Sequence, residues 1–243
     1  MIAPTDQVPA SDSAIPVSQF VPAISEESLK EKVIIIVGGS NSIGASLWPA
    51  IAPKHMPPKP PRSIFQRADV TDDQAVLDLF DRAFQLYKRI DHVVVTAGSL
   101  TPAENWFDPN LSIQAVRQPP SRTDLDVNLI GYLYVTRIAS AYLHHNRGVD
   151  VDRSVLLFSC TAGFKETSGL SLYQVAKHGV QGLMRSLRPY ISAPDRHNLR
   201  INTICPWMTQ TRTTVGKNLE NRWAEEGLPI STPLDVAKVA AGV

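Results

Sequence analysis

Tyr173 and Lys177 stand four residues apart in Tyr173-Gln174-Val175-Ala176-Lys177. On a helix that spacing puts both side chains on one face, about a turn apart. A phenol of pKa about 10 is a poor base at neutral pH. An ammonium beside it favours the phenolate and makes it a usable proton acceptor. A second stretch, Gly38-Gly39-Ser40-Asn41-Ser42-Ile43-Gly44, follows the β-branched run at residues 32–37. A strand emptying through a Gly-rich turn into a helix start aims backbone N–H groups and the helix dipole at a phosphate. Either pattern alone is common, so their weight depends on the elements around them.

Those elements are legible. The runs at residues 32–37, 92–96, 155–159 and 200–205 are short, apolar and continuous rather than alternating. That suits strands covered on both faces of a parallel sheet. Helical patterns lie between them. Thr71-Asp72-Asp73-Gln74 has the capping-box form, and Val76, Leu79, Phe80, Ala83, Phe84 and Tyr87 recur at the period of one buried helix face. A long helix is predicted over residues 121–145 with Leu125, Leu129, Leu133 and Ile138 inward, and another over 171–191 with Val180, Leu183, Met184 and Leu187 inward. Alternating strands and helices predict an α/β domain built on a single doubly wound parallel sheet, the Rossmann fold. It would span residues 29–243, behind a Pro- and Ser-rich arm at 1–28.

Composition excludes several classes. Twenty-four Lys and Arg against 23 Asp and Glu give a net charge of +1, with no basic surplus for a nucleic acid or an anionic membrane. No apolar run approaches the roughly 20 residues that span a bilayer. The first 25 residues hold Asp6, Asp12 and four prolines and do not read as a secretory signal. Two cysteines make no disulfide framework, and no metal site is expected. A cytoplasmic protein is the expectation.

Taken in order, the motifs resemble the short-chain dehydrogenase/reductase family, whose first loop reads Thr-Gly-x-x-x-Gly-x-Gly. Gly38 and Gly44 match its first and third glycines, Val37 replaces the Thr and Ser42 the middle Gly. Ser40 and Ile43 fall in the same loop and are assigned with it to the cofactor. Asp69-Val70 resembles the pair that contacts the adenine ring. Thr96-Ala97-Gly98 resembles the end of Asn-Asn-Ala-Gly, so Ala97 and Gly98 join the cofactor set. Asn128 matches the helix Asn of the catalytic tetrad. Pro206-Trp207-Met208-Thr209-Gln210-Thr211 resembles Pro-Gly-x-Val-x-Thr, in which Pro206, Thr209 and Thr211 would lie along the nicotinamide.

The resemblance implies that Tyr173 is the general acid/base and that Lys177 lowers its pKa and binds the ribose hydroxyls. Asn128 would support a proton relay through water. The family's substrate-orienting Ser stands 13 residues before the Tyr, where this chain has Cys160. A thiol is a weaker, longer donor than a hydroxyl. Neighbours on a strand point to opposite faces, so Ser159 substitutes only where the strand has already ended; Thr161 is the other candidate. NADP or NAD, and a small-molecule alcohol or ketone substrate, are the implied ligands. Residues 173–211 resemble a fungal branch that acts on secondary metabolites. Homo-oligomers through the two long helices are the family's habit.

Two departures stand out. Only 24 residues separate Gly44 from Asp69, and six prolines fall within 13 residues there, from Pro49 to Pro61. Pro49 and Pro53 are expected to interrupt the first helix. The second strand, whose end distinguishes NAD from NADP, is missing from the pattern, and the third would be Ile64-Phe65-Gln66. Residues 233–239 resemble the helix before the family's last strand, which is also missing. The alternatives to a working oxidoreductase are an impaired remnant or binding protein that kept the fold, and a redox-neutral cyclase, isomerase or dehydratase.

Overall fold

The computed structural model describes residues 29, 31–51, 63–101, 106–145, 148, 151–193, 196, 198–211, 214 and 223–243. The expected arm at 1–28 and Pro53 lie outside them. Four strands, β1 (Ile34–Val37), β2 (His92–Val95), β3 (Ser154–Phe158) and β4 (Arg200–Ile204), form one parallel sheet in the order β1-β2-β3-β4. Each of the four predicted runs is therefore a strand. The register pairs Ile34 with His92, His92 with Ser154 and Ser154 with Arg200, so all four start level.

Alternation along the strands feeds two cores. Ile35, Val37, Val93, Val95, Val155, Leu157 and Ile201 face α2 (Asp73–Tyr87), α4 (Gly131–His144) and α5 (Ser171–Ile191). Ile34, Ile36, Val94, Leu156, Phe158 and Ile204 face α1 (Ser42–Ile51) and α6 (Pro233–Ala241). Both faces being covered is why each strand reads as a continuous apolar run. α6 starts on a reciprocal cap between Thr232 and Asp235 with Pro233 at its first position.

The sheet has the expected gaps, and one more. Among the described residues no strand lies beyond β1 and none follows α6. Ile64-Phe65-Gln66 is not a strand either. It has no ladder partner there, and Phe65 is 74% exposed. The described strands are thus one wing of a doubly wound sheet, with β1 at its edge.

Three local expectations are corrected. Pro49 sits inside α1 rather than ending it. It falls in the last turn, where one missing N–H removes a single bond. α2 is capped by Asp72, which accepts from the backbone of Gln74 and Ala75, while Thr71 turns back to Asp69. In the helix before β3, a short α3 (Thr123–Leu125) leads through a π turn (Asp126–Ile130) into α4. The wider turn shifts the phase, so Tyr132, Val135, Ile138, Ala139 and Leu143 point inward and Leu133 is exposed.

Below β2, the buried Asp91 carboxylate takes Arg153 on one oxygen and Arg89 Nε (3.1 Å) on the other, where it also accepts from Val33 N (2.8 Å). Removing one partner of a buried pair strands the other charge, which costs about 3–5 kcal/mol. Asp91→Ala is therefore expected to lower unfolding free energy by that amount in a urea titration. A loss under about 1 kcal/mol would mean the Arg153 guanidinium is solvated after all.

Candidate active site

β1 ends at Val37, and Gly38 turns with φ 92°, in the left-handed region open to glycine. A Cβ on Gly38 would stand 2.5 Å from Ala97 N, and one on Gly44 would stand 2.3 Å from Gly38 O and 2.5 Å from Thr96 Oγ1. The turn is thus pressed against the end of β2, and Thr96 ties the two together by donating from N and Oγ1 to Val37 O (2.8 and 3.0 Å). Ser42, where the family resemblance expects glycine, has φ 45°. A side chain in the left-handed region costs about 1 kcal/mol.

Past the turn, Asn128 sits fully buried in the π turn. Its amide donates to Ser99 O (2.8 Å) and Asp124 O (2.9 Å), and its oxygen accepts from Ser99 N (3.2 Å). Asn128 is a brace between helix and loop, with both N–H groups used. Tyr132, one turn on, is buried and donates to Val95 O (3.1 Å) and Ala97 O (2.9 Å). Asp124, Ser99 and Tyr132 were not among the predicted site residues. For Asp124 and Tyr132 the sequence signal was the four-residue spacing from Asn128, and for Ser99 its place directly after Gly98.

α5 brings in the proton-transfer pair. Tyr173 is half-buried and Lys177 is 4% exposed. The Lys177 ammonium donates to Phe158 O (3.1 Å) and lies 5.2 Å from the ring centre of Tyr132 and 5.5 Å from that of Tyr173. Burial lowers its pKa to about 8, against the opposing pull of Cys160, Cys205 and Asp124. Tyr173 is pushed up, first by burial and then by Cys160, whose thiol lies within hydrogen-bonding reach of the phenol, with Tyr132 and Asp124 adding to it. At neutral pH the site therefore presents a protonated phenol beside a charged ammonium. The expected lowering of Tyr173 by Lys177 is not the balance found in the protein alone.

Cys160 is extended and starts the 3₁₀ turn Thr161–Gly163. Ser159 is buried and donates to the backbone carbonyl of Lys177 (2.7 Å). β3 ends at Phe158, one further backbone bond runs from Ser159 N to Ile204 O (2.9 Å), and the Ser159 O–H is spent on the α5 carbonyl. Thr161 Oγ1 lies 3.9 Å from Cys160 Sγ. Beyond the end of β4, Thr209 is buried and closed on Trp207 O (3.1 Å) and Ser231 Oγ (2.9 Å), and Thr211 N is held by Thr214 (3.0 Å). Asp69 is exposed, its carboxylate held low by the backbone and hydroxyl of Thr71, and Val70 is buried against Gly131. A cavity lined by Leu47, His92, Asp152 and Arg200 opens at the opposite, amino-terminal ends of the strands, away from this chemistry.

A nicotinamide cofactor fits these residues at its ribose end. An ammonium has three N–H groups, and Phe158 O takes one of Lys177's, leaving two for ribose hydroxyls. Gly98 leaves the end of β2 open, with Asn128 Oδ1 the one atom near a Cβ built there, at 3.1 Å.

The model of the family described as short chain dehydrogenase matches residues 50–222. The short-chain dehydrogenase/reductase ascJ of Acremonium egyptiacum is 30% identical over 226 residues, 88% of this chain and 74% of its own length. Prx4 of Penicillium rubens, of the same description, is 28% identical over 86% of this chain and 65% of its own. The (-)-trans-carveol dehydrogenase of Rhodococcus erythropolis is 34% identical over 65% of this chain and 51% of its own. The chain thus spans between half and three quarters of these relatives. Among solved structures, the ligand-free aldohexose dehydrogenase of Thermoplasma acidophilum aligns with TM-score 0.67 and 25% identity over 88% of this chain and 86% of that one. NADPH-bound ElxO aligns with TM-score 0.66 at 18% identity over 86% and 89%, a likeness of fold.

Two outcomes are expected of these residues. Ser42→Gly should stabilise the chain by about 1 kcal/mol in chemical denaturation by removing the left-handed side chain. Lys177 is protonated more readily unfolded than folded, so its contribution to stability rises between pH 8 and 10.5. Lys177→Met should be the more stable chain at pH 7, by about 3 kcal/mol, with the gap closing across that interval. A gap independent of pH would show that burial does not depress the ammonium. By model and by relatives alike, the chain belongs to the short-chain dehydrogenase/reductase family of NAD(P)-dependent oxidoreductases.

Proposed function

We propose that the chain interconverts an alcohol and a ketone on a small molecule of fungal secondary metabolism, with NADP or NAD as the hydride partner. The observation that carries this is the convergence of Tyr173, Lys177 and Cys160 at the carboxyl ends of β3 and β4. The fungal relatives support the setting. The bound nicotinamide would supply or accept the hydride. Lys177, with its two unspent N–H groups, would hold the ribose, and Gly38, Gly98 and Asn128 would keep that end of the site open and in register.

Tyr173, protonated at neutral pH, is set to donate its proton to a ketone oxygen. The Lys177 ammonium then stabilises the phenolate left behind. Cys160 faces the same oxygen with a weak donor, and losing one good donor to a developing oxyanion costs about 3–4 kcal/mol. The reading takes the cytoplasm as its place of action and a homo-oligomer through α4 and α5 as its form. No helix among the described residues is long and apolar enough to cross a membrane.

Fluorescence titration with NADPH and NADH, beside thermal melts, tests the reading. Saturable binding with a raised melting temperature is expected. Cys160→Ser should then raise kcat by about tenfold or more; an unchanged kcat would refute the weak-donor account. A cooperatively folded chain that binds neither nucleotide would favour the impaired reading, which the left-handed Ser42 and the thiol at Cys160 already support.

A further inference from the structure

Trp207 follows Pro206 just past the end of β4, where the motif it resembles has glycine. The pairing of Phe158 with Ile204 continues beyond the strands through Thr161 N to Pro206 O (3.1 Å). That register sets Pro206 across from Cys160 and Trp207 across from Thr161. A large flat ring therefore grows from the position beside Cys160, and it is held there. Trp223 meets it edge to face, with ring centres 4.6 Å apart and planes at 78°. Lys165 Nζ lies over it, 5.7 Å from its centre, and its own carbonyl accepts from Thr209 Oγ1 (3.1 Å). The segment carrying Trp223 is tied to that of Trp207 by Ser231 N to Met208 O and Gln210 N to Ser231 O (3.0 Å each). The Lys165 carbonyl accepts from Nε2 of Gln174 (2.6 Å), the neighbour of Tyr173. With these contacts made, 37% of Trp207 is still open to solvent.

We propose that Trp207, braced by Trp223, is the specificity-determining wall of this site and selects a ketone fused to a planar aromatic ring. Apolar area alone would accept any hydrocarbon skeleton, and a leucine would supply it. An indole adds a ring quadrupole, so a flat ring stacks on it, offset, with more affinity than the buried area gives. Ordering a free side chain on binding costs affinity. The edge contact to Trp223 and the ammonium over the ring place the indole before the substrate arrives. A substrate ring lying on Trp207 is one residue along from the position opposite Cys160, so a carbonyl on the adjoining ring meets the thiol and the phenol. This rests on the reading of Tyr173, Lys177 and Cys160 as the site of carbonyl chemistry.

The test is an NMR titration of the full chain, labelled with nitrogen-15 at tryptophan, with and without saturating NADP in its oxidised form, which leaves a ketone unreduced. Of the four tryptophans, the indole signals of Trp207 and Trp223 are assigned by their loss in Trp207→Phe and Trp223→Phe. α-Tetralone should shift both signals saturably. α-Decalone, the same skeleton without the aromatic ring, should bind about fivefold more weakly. Trp207→Leu should erase that preference, while Trp207→Phe, which keeps a flat ring, should retain most of it. Should Trp207→Leu not fold, Trp223→Leu, which unbraces the ring, is read in its place and should weaken α-tetralone alone. Equal binding of the two ketones, binding of neither, or a preference unchanged in the leucine variant would overturn the proposal. Failure of the functional reading would look different: no nicotinamide nucleotide would bind, while α-tetralone still shifted the Trp207 signal.

Discussion

A buried ammonium is the constraint around which the carboxyl end of this sheet is arranged. Lys177 is on the core side of α5, where a charge is expensive, yet the chain gives it one backbone acceptor, Phe158 O, and two aromatic faces. Its own backbone is anchored separately. Ser159 donates to Lys177 O, and Gln181 Nε2, one turn later, donates to Gly163 O (2.7 Å). A Cβ on Gly163 would stand 2.6 Å from Ser159 Oγ, so β3, the 3₁₀ turn and α5 are in contact at this point. The position of Cys160 relative to Tyr173 follows from that contact.

The Gly-rich turn after β1 depends on β2 rather than on the wing of the sheet that the described residues lack. Gly38 and Gly44 are packed against Thr96 and Ala97, and Tyr132 reaches Val95 O and Ala97 O from the other side. The junction of β1 and β2 is therefore complete with β1 at the sheet edge. Among the described residues nothing pairs with residues 64–66, and the strand-like sequence there is irregular with Phe65 in solvent. A ladder needs a partner before propensity matters.

Where the sequence was legible, the signal was local. The four apolar runs became the four strands because each is buried on both faces, and the Tyr173–Lys177 face survived because helical spacing is rigid. Where it was not, the determinant lay far along the chain. Ser159 reads as a neighbour of Cys160, but its role is set by a carbonyl 18 residues away. The bonds of Asp124 and Asn128 to residues 99–101 span 23 to 29 positions. Leu133 misread for a different reason: a π turn inserts into the 3.6 period, and Leu133, just after it, is turned to solvent while Ile138 further on faces the core as expected.

The acid character of Tyr173 follows from which neighbours burial leaves charged. Desolvation raises the phenol and lowers the ammonium, and both shifts oppose the ion pair that a proton acceptor would require. The thiol beside Tyr173 strengthens the same tendency, because as a poor donor it offers little to a phenolate. A serine hydroxyl in place of Cys160 would donate to phenolate and substrate oxygen alike. Set against the usual requirement that a catalytic pKa lie near the working pH, the arrangement would, on the proposed function, favour proton donation to a carbonyl. Proton abstraction from an alcohol needs a further positive charge near the phenol, which an oxidised nicotinamide ring would supply.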